Sequence, residues 1–383
     1  MKLKCVFKVW FFIITLFFLV LGFEQLNITN LVHGDSTSFG KVKKFDHYKG
    51  HQVYKYTAQR KNGLKVSVLS QGSTLKGIYV PSKKNKYKNI LLSFDHTKQY
   101  YSKKNKSFYV GQLIGPVGNR INKGQFMLDN KKYQLPVNEN GNTLHSGPHA
   151  FNSVNWNGKV GTYKGDPAII MNHHFKSSYT GFPGNIKATT RYVITKKNRL
   201  KVLMSAKSDR DTIFDPTIHA YFHLNNNKNV NKQKLNLNSS QRLALNKEKI
   251  PTGKLLNNAK TAYDFKNNTN LGKHLAQLKN TKEDGYDTMF KVSPEQNDQI
   301  AKLSDPQTKR SVTFSSNRNG LVVYSANTFN NKLNFASGKG SKHMALALEP
   351  QTLPDAVNHP SFGNINLKAG KTKTDKFTYS FNY

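Results

Sequence analysis

From about residue 54 to the C-terminus, apolar and polar residues alternate in short runs broken by clusters of Asn, Gly, Asp and Lys. A period of two is that of a strand with one face buried, and a chain that keeps it this long is committed to sheets. Ile186, Ala188, Thr190, Tyr192 and Ile194 fall on one face of such a run; Val312, Phe314 and Ser316 form another; Phe377, Tyr379, Phe381 and Tyr383 make the C-terminus a strand. Helical period is nearly absent, and only Leu271 to Leu278 (LGKHLAQL) reads as a turn or two of helix. Many short strands with turn signals between them specify a sandwich or a barrel. The 383 residues would allow two average domains, but no composition break or Pro/Gly/Ser linker divides the body. The expectation is all-β: one large antiparallel β-sandwich over residues 54–383.

The other end of the chain sets a compartment. Lys2 and Lys4 precede the apolar stretch Val9 to Phe23, the charged start and short apolar core of a secretory signal. Residues 1–26 are therefore expected to be a signal peptide or an uncleaved membrane anchor, and the polar, unpatterned residues 27–53 a linker. No A-x-A site follows, so both a secreted and a membrane-tethered form stay open, with membrane contact confined to this segment. Cys5 is the only cysteine, which leaves the body without an internal disulfide or a thiolate metal site.

With 59 Lys+Arg against 21 Asp+Glu, the formal charge is +38. Such a surface attracts polyanions, and an anionic cell-surface polymer is a candidate partner. The lysines stand in short runs (Lys83, Lys84, Lys86, Lys88) interleaved with Asn rather than with stacking aromatics. That pattern fits a solvated face and argues against specific nucleic-acid binding.

Five titratable residues sit in apolar or Gly-rich settings where burial would shift their pKa. Glu349 ends the run Ala345-Leu346-Ala347-Leu348 and precedes a Pro-punctuated loop; it suits a general base or a surface residue closing a strand. His219 shares a strand face with Tyr221 and His223, as an acid or as a satisfied core histidine. His145 in a Gly-flanked loop, Arg120 after Gly118-Asn119, and Asp287 after Gly285-Tyr286 each suit a ligand contact or an ordinary loop bond. No P-loop, dinucleotide fingerprint, H-E-x-x-H or G-x-S-x-G occurs. His173 and His174, being adjacent on a strand, point to opposite faces and make poor partners for one metal.

Taken in order, these fragments resemble the aldose 1-epimerase (galactose mutarotase) family. Gly118-Asn119-Arg120-Ile121-Asn122-Lys123-Gly124-Gln125-Phe126, Tyr133-Gln134-Leu135-Pro136-Val137-Asn138 and Asn142-Thr143-Leu144-His145-Ser146-Gly147 are similar to its N-R-I-x-x-G-x-F, Y-x-L-x-x-N and L-H-G-G series. Gly181-Phe182-Pro183-Gly184-Asn185, His219-Ala220-Tyr221-Phe222-His223-Leu224, Ile250-Pro251-Thr252-Gly253, Tyr286-Asp287 and Glu349-Pro350-Gln351 follow. The resemblance implies a galactose mutarotase-like supersandwich that interconverts the α and β anomers of a free aldose, with Glu349 as base, His219 as acid, and Arg120, His145 and Asp287 binding the sugar. It implies neither metal nor cofactor. Three departures stand out: Pro116-Val117-Gly118 replaces the usual Arg ahead of the first motif, Ser146 replaces a Gly, and Ser178 or Tyr179 stands where an acidic residue often precedes G-x-P-G. The competing reading is a non-catalytic carbohydrate- or wall-binding protein on the same scaffold.

Overall fold

The computed structural model describes residues 38–82, 86–225, 229–293 and 298–383. The expected signal or anchor over residues 1–26 lies outside the described residues.

Among the described residues, three large antiparallel sheets and five two-stranded ones make up the body. The first is a meander of five strands between Ser38 and Asn89, each paired with the next in sequence. The second has nine strands and is ordered Asn157–Tyr163, Asp166–Phe175, Ile186–Thr195, Arg199–Ser208, Thr372–Asn382, Ser311–Ser316, Gln299–Ser304, Lys234–Leu237 and Thr269–Asn270. The third has six, ordered Tyr221–Phe222, Leu346–Gln351, Gly320–Tyr324, Asp287–Lys291, Gln241–Leu245 and Pro251–Asn257. The C-terminal strand thus sits in the middle of the largest sheet, between strands distant in sequence.

The alternation read from the sequence is the alternation of burial. Ile186, Ala188, Thr190, Tyr192 and Ile194 are all buried, as are Val312, Phe314 and Ser316, while Lys187, Lys207 and Lys376 on the reverse of the nine-stranded sheet are exposed. Phe222 of the six-stranded sheet meets Phe314 and Tyr379 of the nine-stranded sheet edge to face, at 5.2 and 5.3 Å between ring centres. These contacts are the centre of a sandwich core, and edge-to-face pairs add stabilisation beyond the area they bury. The short helix Leu271–Gln277 forms where its period allowed it, capped by the Asn270 side chain accepting from the Lys273 N–H.

The linker expected over residues 27–53 is corrected for the part described. Ser38–Tyr48 is a strand paired with His51–Arg60, and Lys49 and Gly50 between them both have positive φ, 48° and 77°. Two such residues make the tight hairpin turn whose twist matches its strands. The pattern was hidden because the register slips between Lys44 and Asp46. A bulge of this kind moves the following residues to the other face and breaks the period of two.

Candidate active site

The six-stranded sheet turns one face to the core and the other to a cleft. Across four of its strands Tyr221 pairs with Ala347, Ala347 with Tyr324 and Tyr324 with Asp287; two residues further along the same face, Glu349 pairs with Val322. Leu346 and Leu348, at the alternate positions, point into the core. Glu349 therefore lies inside a central strand, 1% exposed, rather than at a strand's outer end. His219 occupies the break between the short strands Thr217–Ile218 and Tyr221–Phe222. Its N–H donates to the Gln112 carbonyl and its own carbonyl accepts from Gly111, which fixes the ring over this face. The ring stacks on Tyr221 at 4.8 Å. His223 is buried but does not line the cleft.

The cavity above this face has a volume of about 250 Å³, and its walls include Arg120, His145, His219, Asp287 and Glu349. All five residues singled out in the sequence thus converge on one hollow. At its floor His219 Nε2 stands 3.3 Å from Glu349 Oε1. Glu349 Oε2 and His219 Nδ1 have no hydrogen-bond partner among the described residues. A buried polar atom left unpaired is costly unless a ligand or solvent satisfies it.

Burial dominates the protonation of this pair. It raises the Glu349 carboxyl well above the usual carboxylate range, reinforced by the nearby Asp287 and opposed by Arg120. It lowers His219 to about 4, against the pull of a backbone bond and of Asp287. Both shifts come from the cost of bringing charge into a dry site, which favours the protonated carboxyl and the neutral imidazole.

The remaining residues are held in place around the pair. The His145 Nδ1 accepts from the Asn119 N–H at 3.1 Å, which leaves Nε2 as the protonated nitrogen. Burial keeps His145 neutral by lowering its pKa well below the normal value, with His219 and Arg120 adding to the effect. Arg120 makes a two-pronged bond to Glu139, Nε to Oε2 at 2.5 Å and Nη2 to Oε1 at 2.8 Å. Asp287 accepts from Lys249 Nζ at 2.5 Å, and the same ammonium reaches Glu283 at 2.8 Å. Tyr109 closes one side, edge-on to His145 at 4.7 Å. His145, His219 and Glu349 each place a donor atom within 4.8 Å of the other two, so these are the residues that could hold a divalent ion. His173 is half-buried and His174 exposed on opposite faces of their strand, away from the cleft.

Behind the pair lies a support that the sequence did not disclose. Arg318, buried, donates to Asp215 at 2.9 Å, to the Pro216 carbonyl at 2.7 Å and to the Pro350 carbonyl at 2.6 Å. Pro216 leads into His219 and Pro350 follows Glu349, so one guanidinium clamps the two segments that carry the floor. Asp215 in turn accepts from the Thr352 N–H and hydroxyl. Glu139 and Lys249 were also missed. A faint signal existed for Glu139, an acid directly after a motif in a chain poor in acids, whereas Lys249 was masked by its neighbours Lys247 and Glu248.

Two of the three departures turn out to be partners. The Ser146 hydroxyl accepts from the Val117 N–H at 2.8 Å and donates to the Val117 carbonyl at 2.7 Å. The loop that holds His145 is thus pinned to the loop that leads into Arg120.

Comparison with known proteins agrees with this geometry. The aldose 1-epimerase family model matches residues 54–380. A maltose epimerase of Levilactobacillus brevis is 34% identical over 86% of this chain and 95% of its own length. An aldose 1-epimerase of Streptococcus thermophilus is 35% identical over 86% and 93%, and the galactose mutarotase of Bos taurus 28% identical over 91% and 96%. Among solved structures, galactose 1-epimerase from Lactobacillus acidophilus superposes with a TM-score of 0.76 at 23% identity, covering 90% of this chain and 98% of that one. Sheet order, the convergence of five scattered residues and the match over the body lead to one conclusion: this chain belongs to the aldose 1-epimerase family.

Proposed function

We propose that the chain is an isomerase that interconverts the α and β anomers of a free aldose, glucose or galactose or the reducing end of a short oligosaccharide such as maltose, with Glu349 and His219 moving the protons. The observation that carries this reading is the contact of these two side chains at the floor of a cavity of about 250 Å³. Sites for small ligands run from roughly 300 Å³ upward, so a hollow near that bound suits a single pyranose.

Ring opening takes a proton from the O1 hydroxyl and delivers one to the ring oxygen as the bond from C1 to that oxygen breaks. Rotation about C1–C2 then presents the other face of the aldehyde, and reclosure runs the two transfers backwards. O1 and the ring oxygen are bonded to the same carbon. Neighbouring groups 3.3 Å apart suit that edge of the sugar. In the productive state Glu349 is the base and His219 the acid, and the sugar's own hydroxyls supply the polar partners that the empty pocket lacks. His145 Nε2, Arg120 and Asp287 hold the remaining hydroxyls.

The non-catalytic binder has no use for a protonically matched pair in a dry cavity, and the curated relatives are epimerases. Export rests on Lys2, Lys4 and the apolar run that follows, and sequencing the N-terminus of protein recovered from a secreting host checks it. For the activity, polarimetry of freshly dissolved α-D-glucose, α-D-galactose, maltose and glucose 6-phosphate is the test. Acceleration over buffer is expected with at least one of the unphosphorylated sugars; acceleration with none of them overturns the proposal.

A further inference from the structure

The outward face of the nine-stranded sheet carries a pattern that sugar isomerisation does not use. Strand pairing sets Lys302, Thr313, Ser380 and Arg199 side by side in one row across the sheet. The next row holds Gln299, Ser315, Thr378 and Lys201, and the one after it Lys376 beside Leu203 and Arg191. Further along the same face Lys207 pairs with Lys187. Rows on one face repeat every two residues, about 6.8 Å. In the middle the sheet dips into a cleft of about 420 Å³ lined by Arg199, Lys201 and Lys376, with Thr313, Ser315, Thr378 and Ser380 between them. Asp298 is the one acid in its lining. Arg199, Lys201, Lys302 and Lys376 form no ion pair with any described residue.

We propose that this face docks a linear, flexible polyanion of the polyol phosphodiester class, its phosphates on successive cation rows and its hydroxyls on the Ser/Thr ladder. The spacing agrees: two phosphates joined through a glycerol are six bonds apart, the contour of two extended residues, or about 7 Å. Nucleic acid fits less well, because Phe377, the aromatic under the cleft, is 1% exposed and presents no ring for a base to stack on. Position favours the same reading. The reverse of this sheet packs on Phe222 of the six-stranded sheet, whose far side bears Glu349, so a polymer held here leaves the catalytic cleft open. The inference is independent of which sugar is isomerised.

Binding of the full chain to poly(glycerol phosphate), measured by titration calorimetry between 50 and 200 mM salt, tests the proposal. Log K should fall linearly with log salt. The variant Arg199→Gln/Lys201→Gln/Lys376→Gln removes three contacts, which lowers the slope by about 2 and weakens binding about 100-fold at 0.1 M salt, at roughly 0.7 of a counterion per contact on a flexible chain. Lys103→Gln/Lys104→Gln/Lys332→Gln removes the same charge from exposed positions outside the nine-stranded sheet and should keep the wild-type slope. Mutarotation of glucose at wild-type rate in both variants shows that each is folded. Equal loss in the two variants would reduce the effect to bulk charge and overturn the proposal. So would tighter binding to a single-stranded oligodeoxynucleotide or to phosphatidylglycerol vesicles than to the polymer.

Discussion

Replacing Arg318 by Met removes the clamp beneath the acid–base pair without touching the cavity wall. The side chain is 6% exposed and its partner Asp215 5%. Its loss leaves Asp215 buried with the Thr352 N–H and hydroxyl as its remaining hydrogen-bond donors, and removes one donor each from the Pro216 and Pro350 carbonyls, the latter keeping the Thr217 hydroxyl. Removing one member of a buried ion pair costs about 3–5 kcal/mol, most of it the penalty of the stranded carboxylate. Arg318→Met/Asp215→Asn should therefore recover part of the loss, which a double-mutant cycle in urea reads directly. Activity should respond separately. With Pro216 and Pro350 no longer tied to one group, the His219 and Glu349 segments can drift apart, and a misplacement of about 1 Å costs on the order of 10²-fold in rate. The fall should appear in kcat with KM little changed, measured where the variant is fully folded. A variant within about 1 kcal/mol of wild type in stability and with an unaltered kcat would refute the reasoning.

Three further outcomes follow from the same geometry. With His219 lowered to about 4, the pair takes up its second proton only near that pH, so the acid limb of kcat/KM should lie near 4; a limb near 6.5, measured polarimetrically in matched-salt buffers, would contradict the dry-site account. The sign is fixed because the neutral imidazole persists at every pH above its folded pKa and is lost as pH falls through it. Lys249→Met frees Asp287 and sets it beside Glu283 without a shared cation; loss of a binding contact present in ground and transition states alike raises KM for glucose and leaves kcat nearly unchanged. Ser146→Gly deletes two hydrogen bonds to Val117, each worth about 1 kcal/mol, and should lower the unfolding free energy by roughly 2 kcal/mol in urea titration.

Much of this was legible because strands write their burial in the sequence. The inward positions of the Ile186–Thr195 and Thr372–Asn382 strands could be named residue by residue, and the helix Leu271–Gln277 was the one segment with the right period. The N-terminal hairpin escaped because a bulge between Lys44 and Asp46 cancels the period and because Lys49-Gly50 is an inconspicuous turn pair. Of the site, the five residues in motif settings were visible. Arg318, Asp215, Glu139 and Lys249 were not, since their roles arise from pairings across long sequence separations: Arg318 finds Asp215 103 residues away. Protonation was the other gap, because the shifts of Glu349 and His219 come from burial that arises only in the fold.

The central claim is that Glu349 and His219 together move two protons at one carbon. Equilibration of fresh α-D-glucose by Glu349→Gln and by His219→Asn, each confirmed folded by its urea midpoint, tests it most directly. The account predicts a fall of about 10²- to 10⁴-fold in kcat for either variant and little further loss in the double variant, because the two groups act as a unit. A rate near wild type in either single variant would contradict it.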